Sequence, residues 1–439
     1  MKLNETHDSE LKSFVQSANT WTTDFPIQNL PFAVFKKQGT AEAFRVGVGI
    51  GEEILDVSGI HTLLEGDARR AAAACAEPTI NTLMSLGHAH WSALRLALSR
   101  MLRSGSRYEL EVTRHLVKQR DVEYRMPTKV PNFTDCCASM DHIAKVFKVI
   151  RADNPALPES YKWIPLAFHS RASTLRASSR EGYEFLRPKG QSERLKDGKA
   201  VYEPSQKLDY EAEIAIYLAH GTKEGQVLSV DEAEQAVFGL SVINDWTARD
   251  IMTWEMQPLG PFLSKSFTTT VSPWVVMMEA LEPFRRAFVR ADGFPDPLPN
   301  LDSKQNRERG AVDISVQVLL QTARGAADKL APTEIGLSNV KDMYWTFGQL
   351  VAHHTSNGCS MEPGDMIGTG TISGPSLRAS GCVVELTHGG ANPITLPTGE
   401  KRGFVEDGDT VIVRAFCDAP GYRRIGFGDA AATVVKNPQ

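Results

Sequence analysis

Short apolar runs bounded by Gly, Pro and Asp alternate along the chain with a few segments of helical period. Phe32 to Phe35 and Phe44 to Ile50 read as strands, with Gly47, Gly49 and Gly51 as bends. Ile80, Leu83 and Met84 sit at helical spacing within Pro78 to Leu86. Trp91, Leu94, Leu98, Met101 and Leu102 form a clear stripe from Trp91 to Leu102. Tyr108 to Arg125 is charged and reads as a connector, and Pro127 opens a new register. This places a boundary near residue 126, with an N-terminal unit at 1–126 and a second unit at 127–439. Beyond it, Glu213 to Ala219, Val271 to Met278, Asp313 to Leu320, Val383 to Leu386 and Thr410 to Phe416 read as strands. Helical signals are few, at Val230 to Ala236 and near Trp345 to His354. Residues 188–207 are polar and read as a surface loop. The pattern predicts an α+β, mostly β chain.

Composition narrows the class. The chain has 439 residues, enough for two or three domains. Apolar residues make up 42% and charged residues 23%, which excludes collagen, coiled coil and low-complexity disorder. Lys and Arg number 48 against 53 Asp and Glu, a net charge of −5, with no broad footprint for DNA or RNA. The start, Met1 to Asp8, is polar and lacks the apolar stretch of a secretory signal. No apolar run approaches the roughly 18 residues of a membrane span. Six cysteines without a C-x-x-C pair fit a reducing cytosol, so a cytoplasmic location is expected.

Nucleotide, P-loop, serine-hydrolase and zincin fingerprints are absent, and the chemical signal lies in scattered carboxylates. In Tyr210 to Tyr217, Glu211, Glu213, Ala215 and Tyr217 share one strand face. Two carboxylates there suit one hard cation, or equally a solvated sheet edge. Asp245 and Arg249, four apart, fit one face of a helical turn. They read either as a metal ligand with an oxyanion donor or as a local salt bridge. His142 follows Asp135 closely and reads as a general base or as a structural group. Gly368 to Pro375 is a Gly/Thr/Ser-rich turn that would cradle an anion or form a tight hairpin. His353 and His354 read as structural.

These segments together resemble the fumarylacetoacetate hydrolase family over nearly the whole chain. The resemblance rests on Asp24 to Pro31, Asn244 to Ile251, Pro258 to Leu263, Thr269 to Val276, Met343-Tyr344-Trp345, Asn357-Gly358-Cys359, Gly370 to Pro375, Asp407-Gly408-Asp409 and Tyr422 to Gly428. It implies a small N-terminal SH3-like barrel and a large C-terminal β-sandwich roll, usually as a homodimer. It also implies hydrolysis of a carbon–carbon bond in a 1,3-diketone acid. The expected substrate is fumarylacetoacetate, from tyrosine and phenylalanine breakdown. By the resemblance, a divalent cation, Ca2+ or Mg2+, is held by Asp135, Glu211, Glu213 and Asp245. A second, structural Mg2+ or monovalent cation matches Asp245, the Lys265 backbone and Thr269. His142 matches the base and Glu385 its partner. Arg249 and Lys265 match oxyanion donors, and Arg151 and Thr371 match groups that hold the substrate.

The chain departs from the family at positions that face the substrate. Cys137 stands where the family has a substrate-binding Tyr, and Phe168 replaces a second Tyr. Met252 replaces a Gln and Met256 a further Tyr. Ser264 and Thr268 replace glycines around Lys265. Polar pocket groups have become apolar, which implies altered specificity. The alternatives are a relative acting on a more apolar acylpyruvate, a lyase or decarboxylase on the same fold, and a binding protein that has lost catalysis.

Overall fold

The structure is a computed structural model and describes residues 2–150, 157–179, 182–290 and 293–438. Near the N-terminus, five antiparallel strands form one sheet in the order Leu116–Lys118, Glu53–Asp56, Arg45–Ile50, Phe32–Lys37, Val122–Arg125. The helices Gly66–Ala74 and His88–Leu102 cover it. The predicted stripe of Trp91, Leu94, Leu98, Met101 and Leu102 is buried against Val34, Val46, Val48 and Leu55. The expected connector at Tyr108–Arg125 is instead a helical turn, Glu109–Thr113, followed by two of these strands. Their charges mask the strand signal. Both are edge strands, with Val117, Val122 and Tyr124 packing inward onto Trp274 and Phe25.

The rest of the chain is built on two sheets. An eight-stranded sheet runs Ala167–His169, Phe133–Cys136, Met366–Gly368, Ala212–Leu218, Val237–Asp245, Thr269–Val271, Leu175–Ala177, with Val276–Met277 also paired to Val237–Asp245. A five-stranded sheet runs Thr333–Asn339, Ser315–Gln321, Thr410–Cys417, Ile425–Val435, Tyr183–Leu186. Ile214, Ile216, Leu240 and Val242 of the first meet Val316, Val318, Val411, Val413 and Ala432 of the second in one core. This is the α+β, mostly β architecture read from the sequence. Among the described residues no helix is long and apolar enough to cross a membrane.

The large sheet is buried on both faces. Ala215, Tyr217, Ile243, Val271 and Met366 join the core of the N-terminal part, where Trp91 meets Phe238 edge-on at 5.1 Å. The face carrying Glu211 and Glu213 is therefore not a solvated edge.

Three further expectations change. Residues 188–207 are not a loop but contain an antiparallel hairpin, Lys189–Lys196 with Lys199–Pro204. Asp197 and Gly198 both have positive φ at its two-residue turn, the Asp-Gly hairpin signal hidden by polar flanks. Val271 to Met278 is not one strand. It breaks at Ser272-Pro273-Trp274 into Thr269–Val271 and Val276–Met277, because Pro gives no ladder N–H. Val383–Leu386 is one turn of helix, not a strand. The carboxylate of Asp209 takes the N–H groups of Val383 at 2.7 Å and Val384 at 3.1 Å, which turns the backbone inward.

Candidate active site

Strand parity places the acids. Along neighbouring strands, Asp135, Glu213 and Asp245 share the face that further on carries Phe133, Ala215 and Ile243. Glu211 joins from just before its strand, where its backbone pairs with Asn244 and Asp245. The result is a group of four buried carboxylates whose nearest oxygens all lie within 4.8 Å of one another. Gly368, on the strand between those of Asp135 and Glu213, makes the room. A Cβ there would sit 2.6 Å from Asp135 Oδ1 and 3.0 Å from Glu213 Oε2.

Among the described residues, two cations reach this group, both on one side. Lys265 Nζ donates to Glu211 and, at 2.7 Å, to Asp245 Oδ2. Arg249 Nη2 lies 2.8 Å from Glu211 Oε1, and its Nε donates to Asp209 at 2.9 Å. Burial raises Glu211, but Lys265 and Arg249 outweigh it and hold this carboxyl below its ordinary range. The far side has no such support. Asp135 Oδ1 and both oxygens of Glu213 are buried without a hydrogen-bond partner among the described residues. Burial, reinforced by the neighbouring carboxylates against the pull of Lys265, pushes Asp135 up to about 8. Glu213 is raised well above its ordinary value, by burial first and then by Asp135 and Asp245. Leaving such charges unpaired costs on the order of several kcal/mol per group. An all-oxygen donor set with orphaned buried atoms fits a hard divalent cation.

His142 lies on the helix Met140–Ile150 and is buried. Its Nδ1 is 2.5 Å from Glu385 Oε1, so it carries the proton, donates to that carboxylate and leaves Nε2 free to accept. Glu385 also accepts from Ser373 Oγ at 2.8 Å and from the Cys382 thiol at 3.2 Å, with Lys145 Nζ at 3.6 Å. A His oriented by a carboxylate through Nδ1 is the arrangement of a general base.

The remaining predicted positions divide. Phe168 pairs across the sheet with Asp135, and its ring centre is 6.0 Å from Lys265 Nζ. Met252 is buried, with Sδ 3.9 Å from Arg249 Nη1. Met256 is half-buried at the end of the same helix, Arg249–Glu255. Cys137 follows Asp135 by two residues and is half-buried, and burial with the nearby carboxylates pushes its thiol above its ordinary value. Thr371 Oγ1 is buried without a partner among the described residues. Thr269 Oγ1 donates to Asp245 Oδ1 at 2.6 Å, which joins Thr269, Asp245 and Lys265 in one hydrogen-bonded group. Arg151 lies outside the described residues. Asp245 and Arg249 do not share a helical turn. Asp245 ends a strand and Arg249 opens a helix, and both converge on Glu211.

Sequence reasoning passed over Asp209 and Glu255, and held Ser373 only as part of the anion-cradling turn, whereas its hydroxyl donates to Glu385. Asp209 stands two residues before Glu211 on the same parity, a visible signal. Glu255 is its helix's last residue. It binds the N–H groups of Phe262, Leu263 and Ser264 and so shapes the approach to Lys265.

Fold and site define a mostly β protein with a buried four-carboxylate group, able to hold a cation, beside a His–Glu pair. The profile described as Fumarylacetoacetate (FAA) hydrolase C-terminal matches residues 133–435, and that described as Fumarylacetoacetase N-terminal matches residues 28–127. The chain is 38% identical to the fumarylacetoacetase of Arabidopsis thaliana over 434 residues, 98% of this chain and 99% of the relative. It is 39% identical to that of Homo sapiens over 419 residues, 94% and 96% of the two chains. A solved fumarylacetoacetate hydrolase from Exiguobacterium antarcticum aligns at 17% identity with a TM-score of 0.49, covering 93% of this chain and 100% of the other. The chain belongs to the fumarylacetoacetate hydrolase family.

Proposed function

We propose that the chain hydrolyses fumarylacetoacetate to fumarate and acetoacetate, the closing step of tyrosine and phenylalanine breakdown. The observation that carries this is the His142–Glu385 pair beside a four-carboxylate group with orphaned oxygens. Asp135, Glu211, Glu213 and Asp245 would hold the cation, Ca2+ or Mg2+, which supplies Lewis-acid stabilisation of negative charge on the diketone. His142 Nε2 takes a proton from water, and Glu385 steadies the imidazolium through Nδ1. The hydroxide attacks the carbonyl carbon of the fumaryl group. Arg249 and Lys265, fixed by Glu211, place positive charge where the oxyanion forms. The bond to the methylene carbon then breaks, the acetoacetate carbanion takes up a proton, and fumarate keeps the new oxygen. Thr371 and Arg151 hold the substrate in this reading. A second structural cation, Mg2+ or monovalent, beside Asp245, Lys265 and Thr269 belongs to the same proposal.

A second substrate reading is favoured by Phe168 and Met252. They set apolar surface against Lys265 and Arg249, which suits a diketone acid with a larger apolar acyl group. Hydrolysis in water enriched in oxygen-18, with product identification, separates these readings. Labelled fumarate with an equal amount of acetoacetate supports the proposal. An unlabelled product, or carbon dioxide, supports a lyase or decarboxylase and overturns it. Faster turnover of an apolar acylpyruvate supports the second reading.

The two-part organisation, 1–126 and 127–439, is part of this proposal. So is a homodimer, which the exposed Trp254, Leu259, Phe262 and Leu263 support. Leu259 is 96% and Phe262 71% exposed. A cytoplasmic location is supported by the six cysteines, all free.

A further inference from the structure

Asp209 is wholly buried and touches neither His142 nor the unsupported oxygens of Asp135 and Glu213. Its carboxylate is nevertheless fully used. Oδ1 accepts from the N–H groups of Tyr210 at 2.9 Å and Val383 at 2.7 Å. Oδ2 accepts from the N–H of Val384 at 3.1 Å and from Arg249 Nε at 2.9 Å. Four donors on two oxygens is the capacity of an ionised carboxylate. An amide in the same place turns one end into a donor facing two donors.

Its partners belong to both arms of the site. The Val383–Leu386 turn carries Glu385, which holds His142. Arg249 continues from Asp209 to Glu211. One side chain thus ties the base's partner to the oxyanion-binding cation, although Glu385 lies far along the chain from both Asp209 and Arg249.

We propose that Asp209 is a positioning residue that locks the turn bearing Glu385 and the guanidinium of Arg249 into one rigid unit, so that the activated water and the positive charge that receives the oxyanion keep their mutual geometry. The inference rests on the hydrolytic reading above. A buried carboxylate is an expensive way to close a turn, since an apolar residue would fill the space at lower desolvation cost. The joint use of its four lone-pair positions by functional arms explains why a charge is kept there.

The test compares wild type, Asp209→Asn and Val383→Pro. The proline suits the first helical position, takes away the Val383 N–H and sets its ring carbon against the Asp209 oxygen that received it, while keeping the Asp209 charge. Asp209→Asn is expected to lower kcat on the order of 10–100-fold with a much smaller change in KM. Val383→Pro, which displaces the turn while the carboxylate stays, is expected to lower kcat in the same direction. In a Glu385→Gln background the further effect of Asp209→Asn shrinks towards unity, because both act on one unit. A merely structural role costs the same factor in both backgrounds and overturns the proposal. A second readout needs no substrate. The His142 Nδ1 proton, held 2.5 Å from a carboxylate oxygen, gives a far-downfield proton resonance that His142→Ala removes. Asp209→Asn and Val383→Pro are expected to shift or abolish it. If both variants keep it in place, the proposal fails. Wild type that turns over no fumarylacetoacetate overturns the functional reading instead, and the resonance then decides the role of Asp209.

Discussion

Asp135, Glu211, Glu213 and Asp245 come from three strand regions, and parity along each strand already put Glu211 and Glu213 on one face. What parity did not reveal was that this face is buried beneath the N-terminal part, which turns an ordinary pair of acids into part of a buried group that could hold a cation. Among the described residues, neither oxygen of Glu213 has a hydrogen-bond partner. Glu213→Gln is therefore expected to weaken Ca2+ binding at least about tenfold while the protein still folds, as calorimetric titration checks. Unchanged affinity would remove Glu213 from the ligand set. The apolar replacements make a second prediction. Met252 lies against Arg249, so Met252→Gln restores a polar group beside the oxyanion position. It is expected to raise kcat/KM for fumarylacetoacetate on the order of tenfold relative to an apolar acylpyruvate. Competition between the two substrates reads the ratio directly.

At the scale of elements, long periodic segments were legible and short ones were not. The stripe from Trp91 to Leu102 became the helix His88–Leu102 because its apolar positions all face one core. Val383–Leu386 misled because a four-residue apolar run has no period of its own. A distant carboxylate, Asp209, decided its conformation. The hairpin after Lys189 was missed because its exposed ribbon lacks apolar alternation, although its first strand packs against the helix bearing Arg249. Gly368 shows the opposite case. In the sequence it looked like part of a turn, whereas in the sheet it is the spacer that lets two acids meet. Gly368→Ala is expected to leave the strand in place, since its φ is ordinary for a strand, and to displace the Asp135 and Glu213 oxygens. Cation affinity then falls at least about tenfold with a small change in melting temperature. Retained affinity would show that the acids have slack.

Over the whole molecule, the N-terminal part is fastened to the rest by a continuous core and by the first residues of the chain. His7 accepts the Asn4 N–H at Nδ1 and donates from Nε2 to the Glu279 carbonyl at 2.8 Å. Burial holds its pKa below the ordinary 6.5. The unfolded chain therefore binds the proton more readily. The stability this contact contributes is complete above pH 6.5 and declines as pH falls from there towards the folded-state value. His7→Gln is expected to flatten that part of the pH dependence of the urea midpoint; an identical pH dependence would show that this contact does not titrate with folding. These parts enclose the site proposed for hydrolysis. Its most direct test is loss of the diketone absorbance of fumarylacetoacetate after chelation, then after Ca2+ or Mg2+ is added back, for wild type and His142→Ala. Turnover at the full rate is expected only in wild type with cation restored, with His142→Ala lower by ~10²–10⁴-fold. Turnover near the wild-type rate in the chelated protein or in His142→Ala would overturn this reading.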